Sequence, residues 1–274
     1  MATVPAPTRS LGAAAAGARL RGLRNRWLPG ILSFTAFVLL WQLMIVAFDI
    51  TDFLLPGPVQ VWQQFLEVWD NGLLWDAVVD SAQPLFLGLC MAIVAGIVLG
   101  LLIGASAWAD LIASPYLWGL FATPRLAMAP LFVLWFGLGF EAKLWLVFLS
   151  ALLPMMISCK EGVQTVDESL VRAAQSFGAR KRDLFTNVII PYTLPFIATG
   201  VRNSIARGFV GLLIIEMMVG TGGLGGAVMR SYKSFNSARM FAFIAVLIAT
   251  AMILITLSRK LEARMSRWRE EVYV

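Results

Sequence analysis

Long apolar runs separated by short polar segments dominate this chain. Six runs are long enough to cross a membrane, because a spanning helix needs about 20 mostly apolar residues. None of the runs alternates with period two, and a backbone in lipid must satisfy its own hydrogen bonds, so they predict helices. The expected fold class is therefore all-α, a polytopic membrane protein of about six spans. The runs lie at 28–48, 84–105, 111–137, 141–159, 193–219 and 239–258.

One polar insert, at 160–192, interrupts this pattern between the fourth and fifth runs. Asp167 is positioned to cap a helix that runs to about Phe177, because its carboxylate can accept from the first free amides. That helix would show Leu170, Ala173, Ala174 and Phe177 on one side. Gly178 then supplies the left-handed residue that ends a helix at little steric cost.

A second helix is expected in the same insert over about 180–190, from Arg180 until Pro191 stops it. Small alanine side chains on the first helix allow another backbone to approach closely. The insert therefore favours a docking surface on one membrane face. The alternative is a solvated amphipathic loop that rests on the membrane.

Charge predicts the orientation of the spans. Residues 1–26 carry five arginines and no acid, whereas the loop at 49–83 carries six acids and no base. Lys and Arg concentrate on the cytoplasmic side, so we expect a basic cytoplasmic N-terminal tail, an external 49–83 loop and a cytoplasmic 160–192 insert. The transmembrane domain would cover 27–258, followed by a basic cytoplasmic C-terminal tail at 259–274.

Enzymatic chemistry finds little support in this sequence. The chain has no histidine, and its two cysteines, Cys90 and Cys159, lie far apart in predicted spans, so no catalytic residue and no metal site is expected. A phosphate-binding loop of the G-x-x-x-x-G-K-[ST] type is missing as well. The glycine run GTGGLGG, from Gly220 to Gly226, is interpreted as a flexible outer loop after the fifth span.

Two apolar runs contain features typical of a transport pathway. In the third run, Pro124 and Pro130 predict a kinked or broken helix, and broken helices in transporters often mark the pathway. The fifth run holds charge inside the membrane, where ionisable side chains usually face protein or water. Arg207, Glu216 and Met217 of that run are the candidate residues of a substrate pathway or gate.

The polar insert resembles the EAA loop of ABC importer permeases, in which Glu-Ala-Ala precedes a Gly and then an apolar residue and Pro. Further segments resemble the nitrate/sulfonate/taurine-type permeases, in matching order from about residue 54 to the C-terminus. These segments are LLPGP with VW at 54–62, PLFVLWFGLG at 130–139, IIPYTLPFIATGVR at 189–202 and GLG at 223–225. The residues that match the EAA loop are Ala173, Ala174, Gly178, Ile190 and Pro191. The acidic residue of the triplet is replaced by Arg172, which reverses the charge there.

The resemblance implies a membrane subunit of a type I importer in a bacterial inner membrane. Two copies would pair, as a homodimer or a heterodimer, with two cytoplasmic ATPase subunits that bind ATP and Mg, and with an external solute-binding protein. This chain itself would hold no cofactor. The helix around 168–178 would be the coupling helix. The implied coupling residues are Asp167, Leu170, Arg172, Ala173, Ala174, Phe177, Gly178, Arg180 and Pro191.

The resemblance also implies a small solute, either anionic and sulfonate- or nitrate-like, or heterocyclic. The competing interpretation is a self-sufficient secondary transporter or channel, with the insert as a simple loop. Many secondary transporters are built from inverted repeats, and no internal repeat is visible between the two halves of this sequence.

Overall fold

The structure, a computed structural model, describes residues 11–220 and 222–265, with side chains from residue 28 onward except at Arg125 and Met265. This part of the chain is helical and contains no strand, which confirms the all-α prediction. The helices are α1 (Leu11–Ala47), α2 (Pro58–Asp70), α3 (Leu73–Gly104), α4 (Ala107–Ala122), α5 (Arg125–Phe136), α6 (Phe140–Gln164), α7 (Glu168–Ser176), α8 (Lys181–Leu184), a π-helical turn (Phe185–Ile189), α9 (Ile190–Val219), α10 (Gly223–Lys233) and α11 (Ser237–Met265).

The membrane spans follow the six predicted runs. Among the described residues, five helices are long and apolar enough to cross a membrane, and the bent pair of α4 and α5 gives a sixth crossing if it counts as one span. Helix α1 begins at Leu11, seventeen residues before the predicted run at 28–48, and α3 begins at Leu73, eleven residues before the predicted run at 84–105. The start of α3 was predicted to be part of a polar loop because it contains Asp76 and Asp80. A helix can, however, extend beyond the apolar layer of the membrane.

The third crossing is broken between α4 and α5, as Pro124 predicted. The two helices meet at an angle of 100°. Thr123 and Pro124 both adopt extended backbone conformations, since a proline disfavours helical geometry in the residue before it and has no amide to donate. Pro130, by contrast, lies inside α5.

Close packing around α6 holds the membrane domain together. Helix α6 lies between α3 and α9, and most of its residues from Ala142 to Val163 are buried. On α3, Gly96, Gly100 and Gly104 face α6 at four-residue spacing. A methyl group added at Gly100 would lie 2.6 Å from the Met156 carbonyl oxygen of α6. Small residues at such positions let helix backbones approach closely in a membrane, where packing rather than water exclusion drives association.

Helix α10 replaces the flexible outer loop expected for the glycine run, so that expectation is wrong. Leu224 is buried and packs with Val68 of α2, Leu74 of α3 and Phe243 of α11 in one apolar cluster. The glycines belong to this packing, because those at the start of α10 are buried against neighbouring helices. The segment is therefore a short helix inserted among the ends of the spans that lie opposite the polar insert.

We expect Gly100→Ala to lower the free energy of unfolding by about 1–3 kcal/mol, because overpacking a close contact costs about that much. The matched control is Gly119→Ala on α4, where an added methyl meets no atom within 4 Å. Thermal unfolding midpoints of the two variants in the same detergent measure the difference. Equal midpoints would show that the α3–α6 contact does not limit stability.

Candidate functional site

The polar insert folds into the short helix α7, and Asp167 begins it as predicted. Its Oδ1 accepts a hydrogen bond from the Ser169 backbone amide at 2.7 Å. This bond satisfies one of the free amides at the start of the helix. It also lowers the pKa of the Asp167 carboxyl below its usual range, because it favours the ionised form. The predicted cap is confirmed.

The end of α7 is fixed by Gly178, also as predicted. Gly178 has a φ of 81°, in the left-handed region that favours glycine. Its amide donates to the Gln175 carbonyl at 2.9 Å, and the Ala179 amide donates to the Ala174 carbonyl at 3.1 Å. These two bonds form a Schellman motif, which ends the helix and sets the direction of the following chain.

Helix α7 presents its side chains outward. None of its residues is buried. The Phe177 side chain is 92% exposed and that of Leu170 is 46% exposed, while Ala173 is exposed and Ala174 half-buried. Large apolar side chains grouped on an otherwise polar exposed helix are typical of a protein contact surface. The structure thus brings together the residues predicted to dock a partner.

Arg172 lies on the same helix and forms an ion pair with Glu168, one turn earlier, at 3.1 Å. Both side chains are strongly exposed, so the pair contributes at most about 0.5 kcal/mol. Arg180 stands just before α8, and its amide donates to the Asp183 carboxylate at 3.1 Å. The positive charge that Arg172 introduces is thus balanced by Glu168 on the same helix.

The expectation that Pro191 stops the second helix is wrong. The chain stays helical from α8 through the π-helical turn into α9, and Pro191 lies in the first turn of α9. The Ile190 amide bonds to the Phe185 carbonyl, five residues earlier. This wider turn accommodates a residue that lacks an amide and would otherwise clash with the preceding turn. Helix α9 is thereby joined to the insert without a break.

The candidate pathway residues of α9 separate into two environments. Arg207 is exposed, and its guanidinium carbon lies 5.9 Å from the centre of the Phe121 ring on α4. It forms no ion pair with any other residue that the structure describes. Met217 is also exposed. Glu216, by contrast, is fully buried inside the chain.

Glu216 is the centre of a buried polar cluster that joins four helices at the end of the domain opposite the polar insert. Its Oε1 lies 3.2 Å from the Lys143 ammonium of α6 and accepts from the Ser81 hydroxyl of α3 at 2.8 Å. Its Oε2 accepts from the Gly225 amide of α10 at 2.9 Å. The Leu224 amide donates to Ser81 Oγ at 2.8 Å.

This cluster ties α3, α6, α9 and α10 together in a region of low dielectric. A buried ion pair is tolerated when the remaining hydrogen-bonding capacity is also satisfied, which the amides and the hydroxyl achieve here. The carboxylate also lies at the N-terminus of α10, where the helix dipole favours negative charge. A methyl group added at Gly223 would collide with the Glu216 carboxylate, so α10 can approach only because that position is glycine.

Two members of the cluster were not recognised from the sequence. Neither Lys143 nor Ser81 was among the candidate residues of the pathway or gate. No local pattern identifies Ser81, since it lies 135 residues from Glu216 along the chain. The signal that could have found Lys143 is charge balance, because an intramembrane carboxylate requires a cationic or hydrogen-bonding partner.

Comparison with known proteins places this architecture in a family. Residues 92–267, more than half of the chain, match the family described as binding-protein-dependent transport system inner membrane component. The taurine transport system permease protein TauC of Escherichia coli (strain K12) is 31% identical over 263 residues, which cover 92% of this chain and 96% of that protein.

Other relatives carry different descriptions. The putative aliphatic sulfonates transport permease protein SsuC of Bacillus subtilis (strain 168) is 29% identical, covering 90% of this chain and 89% of that protein. The riboflavin transport system permease protein RibX of Chloroflexus aurantiacus is 28% identical, with coverage of 91% and 94%. A crystal structure of an amino acid ABC transporter with histidines has a similar fold, with a TM-score of 0.58 and 20% identity over 73% of this chain and 98% of the other.

We expect Lys143→Met and Glu216→Gln each to lower the free energy of unfolding by about 3–5 kcal/mol, because each leaves one buried charge without its partner. The double variant should lose clearly less than the sum of the two single losses, since neither charge remains. A double-mutant cycle on unfolding in detergent measures this coupling. Additive losses would show that the two side chains do not interact.

Proposed function

The chain belongs to the family of binding-protein-dependent transport system inner membrane components, and on this premise we propose that it forms the translocation pathway of an ATP-driven importer for a small anionic solute. It is a membrane-embedded transport permease subunit and not an enzyme. The observation that carries the proposal is α7, a capped helix with no buried residue, on a polar insert between two spans.

The proposed coupling site is the exposed surface of α7. Phe177 and Leu170 would enter a groove of a cytoplasmic ATPase subunit, while Ala173 and Ala174 would let the two backbones approach. The Asp167 cap and the Gly178 Schellman motif hold both ends of the helix. A displacement of the helix by an ATPase would therefore move the neighbouring helices instead of unwinding its ends. Continuous helix from α8 into α9 supports such rigid-body transmission.

The proposed assembly contains two copies of this chain, two ATPase subunits that bind ATP and Mg, and an external binding protein. The exposed aromatic and aliphatic side chains of α4 and α5 would pack against a second permease copy, which is either identical or related. The proposed location is a bacterial inner membrane with both termini cytoplasmic, which places α7 on the ATPase side. The distribution of Lys and Arg supports this orientation.

The proposed solute is an organic anion of the sulfonate class. Arg207 is an exposed cation on a membrane-spanning helix, and such charges usually face a water-filled path or a ligand. A guanidinium binds sulfonate oxygens through charge-assisted hydrogen bonds. Relatives described for taurine and aliphatic sulfonates transport anionic groups of this kind, whereas the riboflavin relative represents the heterocyclic alternative.

Reconstitution tests the assignment against a secondary transporter or channel. Liposomes that contain this chain with its ATPase and binding protein should accumulate solute only when ATP is supplied on the ATPase side. Liposomes with this chain alone should accumulate none, with or without an ion gradient. Accumulation by the chain alone would overturn the proposed function.

We expect Gly178→Val and Ala174→Glu to uncouple ATP hydrolysis from transport, so that most solute uptake is lost while the protein remains in the membrane. A β-branched residue is strained at a positive φ, and a carboxylate at Ala174 blocks the close approach of a partner helix. The measurement is ATP hydrolysis and uptake in the same liposomes. Ala179→Ser, which keeps the Schellman amide, is the control. Normal uptake by both variants would refute the coupling role of α7.

We expect Arg207→Met to raise the KM for an alkanesulfonate about tenfold or more, because a charge-assisted hydrogen bond contributes about 1.5–3 kcal/mol. Arg207→Lys is the matched control, since it keeps the charge and should retain most of the affinity. Uptake of a labelled sulfonate by the assembled importer measures both. An unchanged KM in Arg207→Met would remove this residue from the pathway.

A further inference from the structure

Helix α7 is attached to the rest of the membrane domain mainly through its two chain ends. It has no buried residue, and its tertiary contacts within the described chain are chiefly with α8. Motion of α7 must therefore leave it either through α8 into α9 or backward into the last turn of α6. That last turn ends at Gln164, four residues before α7 begins at Glu168.

The last turn of α6 is bonded sideways to α4. Lys160 Nζ lies 2.6 Å from Asp110 Oδ1 and donates to Ser114 Oγ at 2.6 Å. The Gln164 side-chain amide donates to Asp110 Oδ2 at 2.8 Å, and the Ser114 hydroxyl also donates to the Asp110 carboxylate. Both oxygens of one carboxylate on α4 thus hold two residues of α6 that are one helical turn apart.

These bonds lie beside an ordinary apolar contact. Leu117 of α4 packs against Leu153 and Met156 of α6, so α4 keeps its place on α6 without the polar bonds. Lys160 is buried, and Asp110 and Ser114 are partly buried. Charged hydrogen bonds in such an environment are short and directional, so they hold the two helices at a fixed angle where apolar packing alone would let them slide.

Helix α4 leads from these bonds to the proposed pathway. Phe121 is eleven residues after Asp110, about 16 Å along the helix axis. It lies beside Arg207 of α9, just before the break between α4 and α5. A small rotation of α4 at Asp110 therefore moves Phe121 relative to the cation that we assign to the solute.

We propose that Asp110, Ser114, Lys160 and Gln164 form a transmission joint that carries motion of the coupling helix through α6 into α4, and so to the solute contact at Arg207. This proposal rests on the proposed function, because it assumes that an ATPase moves α7. The four side chains are positioning residues: they act through Phe121 and touch neither solute nor ATPase.

The test compares solute transported per ATP hydrolysed in liposomes that contain the full importer. Asp110→Asn removes the charge while keeping the shape, and it should lower this ratio at least about fivefold while ATP hydrolysis stays within about twofold of the parent. The double variant Asp110→Lys with Lys160→Asp restores an ion pair in the opposite direction. It should recover part of the transport per ATP that Asp110→Asn loses. Glu67→Gln is the matched control, since it breaks the outer ion pair with Arg239 and should leave the ratio unchanged.

The outcomes separate the joint from the proposed function. If the parent importer shows no ATP-driven uptake, the proposed function fails. If the parent transports and Asp110→Asn keeps the parental ratio, the joint is refuted while the function stands. Should Asp110→Asn fail to reach the membrane, Ser114→Ala and Gln164→Leu decide the matter by the same ratio, since each removes one uncharged side chain and its hydrogen bonds from the joint. Parental ratios in both would refute it.

Discussion

The close contact of α6 with α3 and α9 is the constraint on which the rest of the structure depends. Glycines on α3 let the backbones of α3 and α6 approach closely, because no side chain separates them there. Helix α6 is the central helix of the domain. Helix α6 carries a lysine near each end: Lys143 pairs with Glu216, and Lys160 pairs with Asp110. These lysines are 17 residues apart, about 26 Å on an α-helix, so a single helix connects the two ion pairs.

Local sequence signals predicted local structure well. Asp167 as a cap, Gly178 as a helix end and Pro124 as a break each depend on backbone geometry within a few residues, and the structure confirms all three. The number of spans followed from apolar length in the same way. The helix end predicted at Pro191 is wrong. A proline tends to end a helix, but here the π-helical turn just before it removes the steric conflict.

Contacts between distant segments were not predictable in this way. The partners of Glu216 lie on three other helices, and the buried Lys143 is 73 residues away along the chain. The glycine run after the fifth span was predicted to be flexible. Glycine occurs both in flexible loops and where backbones approach closely, and only the tertiary structure distinguishes these two roles. The four-residue spacing of Gly96, Gly100 and Gly104 was a readable sign of close helix packing.

The buried pair of Lys143 and Glu216 has a consequence for biogenesis. The ribosome makes Lys143 73 residues before Glu216, so α6 enters the bilayer while its ammonium has no carboxylate to neutralise it. Its position in the first turn of the helix lets the long side chain reach the aqueous boundary in the meantime. Only the arrival of α9 and α10 allows the lysine to withdraw from water. This polar cluster is thus completed late in synthesis, and a chain truncated before α9 retains an ammonium that has no carboxylate to neutralise it.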